Sequence, residues 1–115
     1  WRGVEIPGSR GRVHGNVIEL EPGKLVCLLR SRAADHIYRS ESNDNGETWS
    51  VPVITPLRNN NASISAIKLQ SGALAIIYND VSFNEDGSRT GPTSDALWQW
   101  QSRRMVAKHG RGAAL

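Results

Sequence analysis

Two stretches of the chain are versions of one pattern: "VIELEPGKLVCLLR" at residues 17–30 and "AIKLQSGALAIIYN" at residues 66–79. Ile18, Leu20, Gly23 and Leu25 in the first correspond to Ile67, Leu69, Gly72 and Leu74 in the second, an offset of 49 residues. Self-similarity at this period constrains the fold more than any single residue does. Each copy must be one supersecondary unit that completes its core by stacking on its neighbours. Within a copy, a short alternating run leads into a Pro-Gly or Ser-Gly pair and then a second apolar run, which is the signature of a hairpin. The runs "LVCLL" and "LAIIY" are almost continuously apolar, so they are expected to be strands buried on both faces.

A second hairpin is expected between the copies, with a strand at "HIYRSES" (36–42), a turn at "NDNGET", and a return strand at "WSVPVIT" (49–55). Pro52 cannot donate to a central ladder and places that return at a sheet edge or a strand end. Each unit of about 50 residues thus supplies four short strands, as a propeller blade does. A β-sandwich would also show closely spaced hairpins, but the long repeat argues against it. The expectation is an all-β fold of about two blades, with the repeats near 17–55 and 66–86.

Composition limits the rest. With 115 residues there is enough chain for one small domain and a modest core. The chain starts at Trp1 rather than Met, which reads as a fragment or a processed product. No run reaches the ~18 apolar residues of a membrane span. Cys27, the lone cysteine, excludes an intrachain disulfide and reads as a small buried hydrophobe. The net charge of +3 is not spread evenly. Residues 87–115 carry five basic residues (Arg89, Arg103, Arg104, Lys108, Arg111) against Asp95, whereas residues 1–86 carry nine basic and ten acidic residues. The basic character belongs to the tail, and no aromatic-basic interleaving points to nucleic acid as a partner.

The turn between strands carries its own pattern, S-x-D-x-G-x-T-W: Ser42, Asp44, Gly46, Thr48 and Trp49. Asp44 can accept from the backbone N–H groups that follow it, and Asn45-Gly46 tolerates positive φ. The two hydroxyls can tie the turn together, and Trp49 offers an apolar face to pack beneath it. These residues read as a folding device rather than as catalytic groups. They match the Asp-box, or BNR repeat, at all five defining positions. With "LLRSRAADHIYRSESNDNGETWSVP" around it and "NNNASISAIKLQSGALAIIYN" after it, the chain resembles the predicted-neuraminidase branch of the sialidase superfamily over roughly residues 10–86.

That resemblance implies a six-bladed propeller with a central site for an acidic sugar and no cofactor. In such enzymes a tyrosine, activated by a glutamate, is the nucleophile, and an aspartate is the general acid/base. Arginines clamp the substrate carboxylate, because a guanidinium fork matches two oxygens. By resemblance Arg30, which ends "LVCLLR", takes the place of one of these arginines, with Arg32 as the alternative. The glutamate's place falls near His14, a departure from the family pattern, since a histidine stands where a carboxylate is expected. Arg12 is placed either towards the same pocket or in a surface turn. Asn59, Asn60 and Asn61 form a polar loop on the implied substrate face, able to bond sugar hydroxyls or to serve as an ordinary turn. Asn61-Ala62-Ser63 is also a glycosylation sequon. Tyr78 reads as core. The motifs of the other catalytic groups are not matched, so the chain by itself is expected to be inactive. A sialylated or otherwise acidic glycan is the implied partner, and a non-catalytic carbohydrate-binding propeller is the competing reading. No metal-ligand spacing stands out.

After Asp86 the alternation stops, and residues 87–115, with Trp98 and Trp100, read as a non-matching tail without a clear strand. Read from the third base of each codon, Gln101 to Gly110 can encode Val-Ser-Glu-Asp-Gly-Gly-Lys-Thr-Trp, a complete second Asp-box. Leu97 to Gln101 likewise give Val-Ala-Val-Ala, a strand. The expectation is a frameshift between Asp86 and Ser94. The competing reading is a genuine basic extension that binds a partner.

Overall fold

The computed structural model describes residues 2–83, 89–90 and 103–109, and among these it is built of antiparallel strands with no helix. The first four strands, β1 (Arg12–Glu21), β2 (Lys24–Ser31), β3 (His36–Ser42) and β4 (Val53–Arg58), form a meander in the order β1-β2-β3-β4. A second sheet holds β5 (Ser65–Lys68), β6 (Ala73–Asn79) and β9 (Arg103–His109) in the order β5-β6-β9. A short ribbon pairs β7 (Ser82–Phe83) with β8 (Arg89–Thr90). The all-β class is as the sequence implies, and the four-stranded meander has the strand order of one blade.

The repeat is visible in the turns. Gly23 and Gly72 close the β1–β2 and β5–β6 hairpins with φ of +82° and +87°, a conformation that glycine adopts without steric cost. The return strand after the Asp-box starts at Val53, not at Trp49. Residues 49–52 finish the turn, and Pro52, which has no N–H, precedes the first ladder bond. Pro56 is tolerated inside β4 because that strand is the edge of its sheet.

The two sheets bury one core between them. Ile18, Val26, Leu28 and Ile37 of the first sheet meet Ile64, Leu74, Ile76 and Tyr78 of the second segment, so Tyr78 is a core residue. On the other face of the first sheet, Cys27, Leu29 and Tyr38 are covered by Ile6 and Trp49. Val26 to Leu29 are thus buried on both faces, as their apolar run implies. In β6 the same expectation fails at one position, because Ile77 is 51% exposed on the face turned away from the first sheet. A second correction concerns the tail. Arg103–His109 forms β9 and pairs with the whole of β6, from Ala73↔His109 to Asn79↔Arg103. The segment lacks alternation, so no periodicity announced it. Trp98 and Trp100 lie outside the described residues.

Candidate functional site

The first sheet has two unlike ends. At one end the Asp-box turn folds over the β1–β2 hairpin, with the Asn45 amide donating to the Gly23 carbonyl at 2.9 Å. Ser42 Oγ donates to Asp44 Oδ1 at 2.8 Å and accepts from the Gly46 amide at 2.8 Å. The Thr48 amide reaches the same carboxylate at 2.9 Å, and its hydroxyl donates to the second oxygen. Trp49 Nε1 donates to the Gly46 carbonyl at 3.1 Å. Hydrogen bonds from Thr48, hydroxyl first and then amide, and from Ser42 hold the Asp44 carboxyl down at about 2. A carboxylate that accepts three hydrogen bonds from its own turn is a structural acceptor.

The opposite end gathers the cations. Val13 lies opposite Arg30 in the β1–β2 register, and the ladder then slips before Asn16↔Leu28. His14 and Gly15 form this bulge, with His14 in the left-handed region at φ +51°. Gly15 is required there, because a Cβ would stand 2.5 Å from Cys27 Sγ and 3.2 Å from Leu29 Cδ2. Bulges re-aim side chains, and this one carries the imidazole to Arg30, with Nη2 at 2.6 Å from His14 Nδ1. The second arm of the fork, Nη1, donates to the Asn61 carbonyl at 2.8 Å. Asn61 itself has φ +64°. The loop bearing it is tied back to β1 by Asn16, whose Nδ2 donates to the Ile64 carbonyl at 3.2 Å and whose Oδ1 accepts from the Ala66 amide at 3.4 Å.

The structure therefore brings together Arg30, His14 and Asn61. Asn60 is half-buried beside them, and Asn59 lies behind, wholly enclosed. Arg32 is exposed past the end of β2, its amide bonded to the Gly11 carbonyl at 2.9 Å. Arg12 opens β1 rather than lying in a surface turn. Its guanidinium stacks 3.7 Å from the centroid of the Tyr38 ring and donates to Ser31 Oγ at 2.9 Å. Tyr38 in turn donates to Asp35 Oδ2 at 2.8 Å, and the His36 amide caps Oδ1 at 2.7 Å. Burial pushes the Asp35 carboxyl up, but the bonds from His36, Tyr38 and Ser31 outweigh it and hold the group below its usual range. Burial, then the bond to Asp35, raises the Tyr38 hydroxyl.

One further cation at this end was not anticipated. Arg58 forms a two-pronged pair with buried Asp80, Nε to Oδ1 at 3.0 Å and Nη2 to Oδ2 at 3.1 Å, joining β4 to the end of β6. Twenty-two residues separate the partners, and no local signal in the sequence pairs them. Among the described residues, no group of three His, Cys, Asp or Glu could hold a metal ion, and no helix is long and apolar enough to cross a membrane.

The arrangement sets Arg30, His14 and Asn61 together at one end of a sheet whose other end is locked by an Asp-box. Comparison with protein families finds a match to the BNR repeat-like domain over residues 1–107, a span that includes most of β9. Comparison with curated proteins finds no match. A match over nearly the whole chain, with an Asp-box whose hydrogen bonds are all made, places this chain in the BNR repeat-like family, in line with its resemblance to the Asp-box sialidase superfamily.

Proposed function

We propose that the chain is part of a six-bladed, sialidase-like propeller, and that the intact protein hydrolyses the bond to a terminal sialic acid or a related acidic sugar. The observation that carries this reading is the place of Arg30. It stands at the end of the sheet opposite the Asp-box, oriented by the bulge on one side and by the Asn61 carbonyl on the other. A planar guanidinium held in this way matches the two oxygens of a sugar carboxylate. Asn60 and Asn61, whose side-chain oxygens are buried and have no hydrogen-bond partner among the described residues, lie on the loop beside Arg30 and would meet sugar hydroxyls if that loop opened. Asn59, wholly enclosed, shapes the loop from behind. Arg32 is the alternative carboxylate ligand. The chain alone does not turn over substrate, since its residues match neither the nucleophile nor the acid motif of the family.

A second reading is favoured by one observation: a histidine, not a carboxylate, contacts Arg30. It makes the protein a carbohydrate-binding Asp-box propeller without hydrolysis. A fluorogenic sialoside assay on a longer protein containing the remaining blades separates the two. Turnover that falls about 10²-fold in kcat/KM with Arg30→Ala supports the hydrolase. Binding lost in Arg30→Ala, with no turnover in the parent, supports the binding module. Absence of both removes the acidic-sugar reading.

A further inference from the structure

Among the chain's asparagines, Asn45 alone is followed by glycine, and the pair stands inside the Asp-box. The backbone of the turn favours this pair. Asn45 lies in the left-handed region at φ +59° and Gly46 at φ +88°, where asparagine and glycine are the residues of least strain. The same pair is a chemical weak point. With no side chain on the glycine, its amide nitrogen can approach the Cγ of the asparagine before it without hindrance. Asn45 is exposed, so its side-chain amide is not shielded by packing.

We propose that Asn45 is a site of deamidation, and that the hydrogen bond from Gly46 to Ser42 sets its rate. In the reaction hydroxide takes the proton of the Gly46 amide, and the nitrogen attacks Asn45 Cγ. A bond forms between these two atoms, the bond from Cγ to Nδ2 breaks, and ammonia leaves with a proton from water, which regenerates the hydroxide. A second water then opens the cyclic imide, at one carbonyl to aspartate and at the other to isoaspartate.

The folded turn opposes the first step in two ways. The Gly46 N–H donates to the buried Ser42 Oγ at 2.8 Å, so its proton is withheld from hydroxide while that bond stands. The Asp44 carboxylate, bonded by Ser42 and Thr48, sets a negative charge beside the nitrogen that must become an anion. The Asn45 amide is also fixed on the Gly23 carbonyl at 2.9 Å, which holds the backbone of the pair in place. Attack therefore waits for the turn to open, and its rate is that of the open turn scaled by the fraction of time it is open. The same opening releases the Gly46 proton to solvent, so amide exchange and deamidation pass through one gate. Isoaspartate runs the main chain through the former side chain. It carries the Gly46 N–H one carbon further from Ser42, and the opened turn no longer closes as an Asp-box. Local opening thus becomes a route to irreversible loss.

The test uses the full chain. Deamidation at Asn45 is followed by peptide mass spectrometry in mildly alkaline buffer, with the protein native and with it unfolded in guanidinium chloride. Protection of the Gly46 amide against hydrogen exchange is measured on the native protein by NMR. The native chain is expected to deamidate at least about tenfold more slowly than the unfolded one. That factor should agree, within about threefold, with the protection of the Gly46 amide. Ser42→Ala removes the acceptor and should speed both processes together by about tenfold, with no change in the unfolded chain. Equal native and unfolded rates overturn the inference, as does slow deamidation beside an unprotected Gly46 amide. A folded Ser42→Ala protein that deamidates no faster than the parent also overturns it. Should that variant fail to fold, the agreement between protection and deamidation in the parent decides.

Discussion

Ile18 and Ile67 occupy the same place in the repeat, yet Ile18 is 6% exposed and Ile67 is 58% exposed. The same holds one strand later, where Leu28 is enclosed and its counterpart Ile77 is half open. The difference is not in the residues, all of them strongly apolar. It lies in what each sheet faces. The first sheet turns Ile18, Val26 and Leu28 towards the second, which answers with Leu74, Ile76 and Tyr78. The second sheet turns its own copies of that face outward. A repeat of this kind writes two apolar faces into every unit, one for the neighbour before and one for the neighbour after. Ile67 and Ile77 are the exposed apolar residues of the second sheet's outer face.

The comparison breaks if both copies respond alike to truncation. Leu28→Ala and Ile76→Ala each remove a side chain from the shared core and should cost about 2–5 kcal/mol in urea unfolding. Ile67→Ala and Ile77→Ala, at the open face, should stay within about 0.5 kcal/mol. Equal losses at both pairs would mean that the outer face is covered in solution. The next effect in size belongs to the bulge that has no counterpart in the second sheet. Gly15→Ala drives a methyl against Cys27 Sγ at 2.5 Å and should cost about 1–3 kcal/mol by overpacking. Cys27→Ala in the same protein should recover part of that loss, whereas additive losses would place the strain in the backbone.

How much of this was legible from residues differs between the same two regions. The hairpins were plain, because Gly23 and Gly72 sit between apolar runs and only glycine enters that backbone region freely. The Asp-box turn was also plain, since its bonds join residues no more than four apart. What escaped depends on register across strands. Arg12 on Tyr38, and Arg58 on Asp80, are chosen by which residues the ladder sets side by side, and one residue of slip reverses every choice. Gly15 inside a strand pattern was the available sign of a bulge, and with it of the contact between His14 and Arg30. β9 was invisible because a strand paired along one edge needs backbone groups and no alternation of side chains.

The two turn glycines sharpen the comparison at smaller scale. Gly23→Ala and Gly72→Ala both force a side chain into positive φ and should each cost about 1 kcal/mol. Neither added Cβ meets an atom closer than 4.0 Å, so backbone strain alone sets the loss. Chemical denaturation of the two variants should therefore give matching values, although the sheets around them differ. A clear excess at Gly23 would show that the Asp-box turn, bonded to its carbonyl, shares in the strain.

The smallest effect is expected at Asp44, whose carboxylate is open to water, and it is read best through pH. Its folded value of about 2 lies below the ordinary 3.8 because Thr48 and Ser42 donate to the ionised form. The unfolded chain therefore takes up the proton first as pH falls. The contribution is complete above the unfolded value and is lost as pH drops from about 3.8 towards 2. Asp44→Asn keeps the shape of the side chain but cannot titrate, so its stability should be lower at pH 6 and should vary less between pH 4 and pH 2. Thermal melts of the two proteins across that window measure the difference directly. Parallel curves would mean that the hydrogen bonds around Asp44 persist in the unfolded chain, and the Asp-box would then be a local turn that forms before the sheet does.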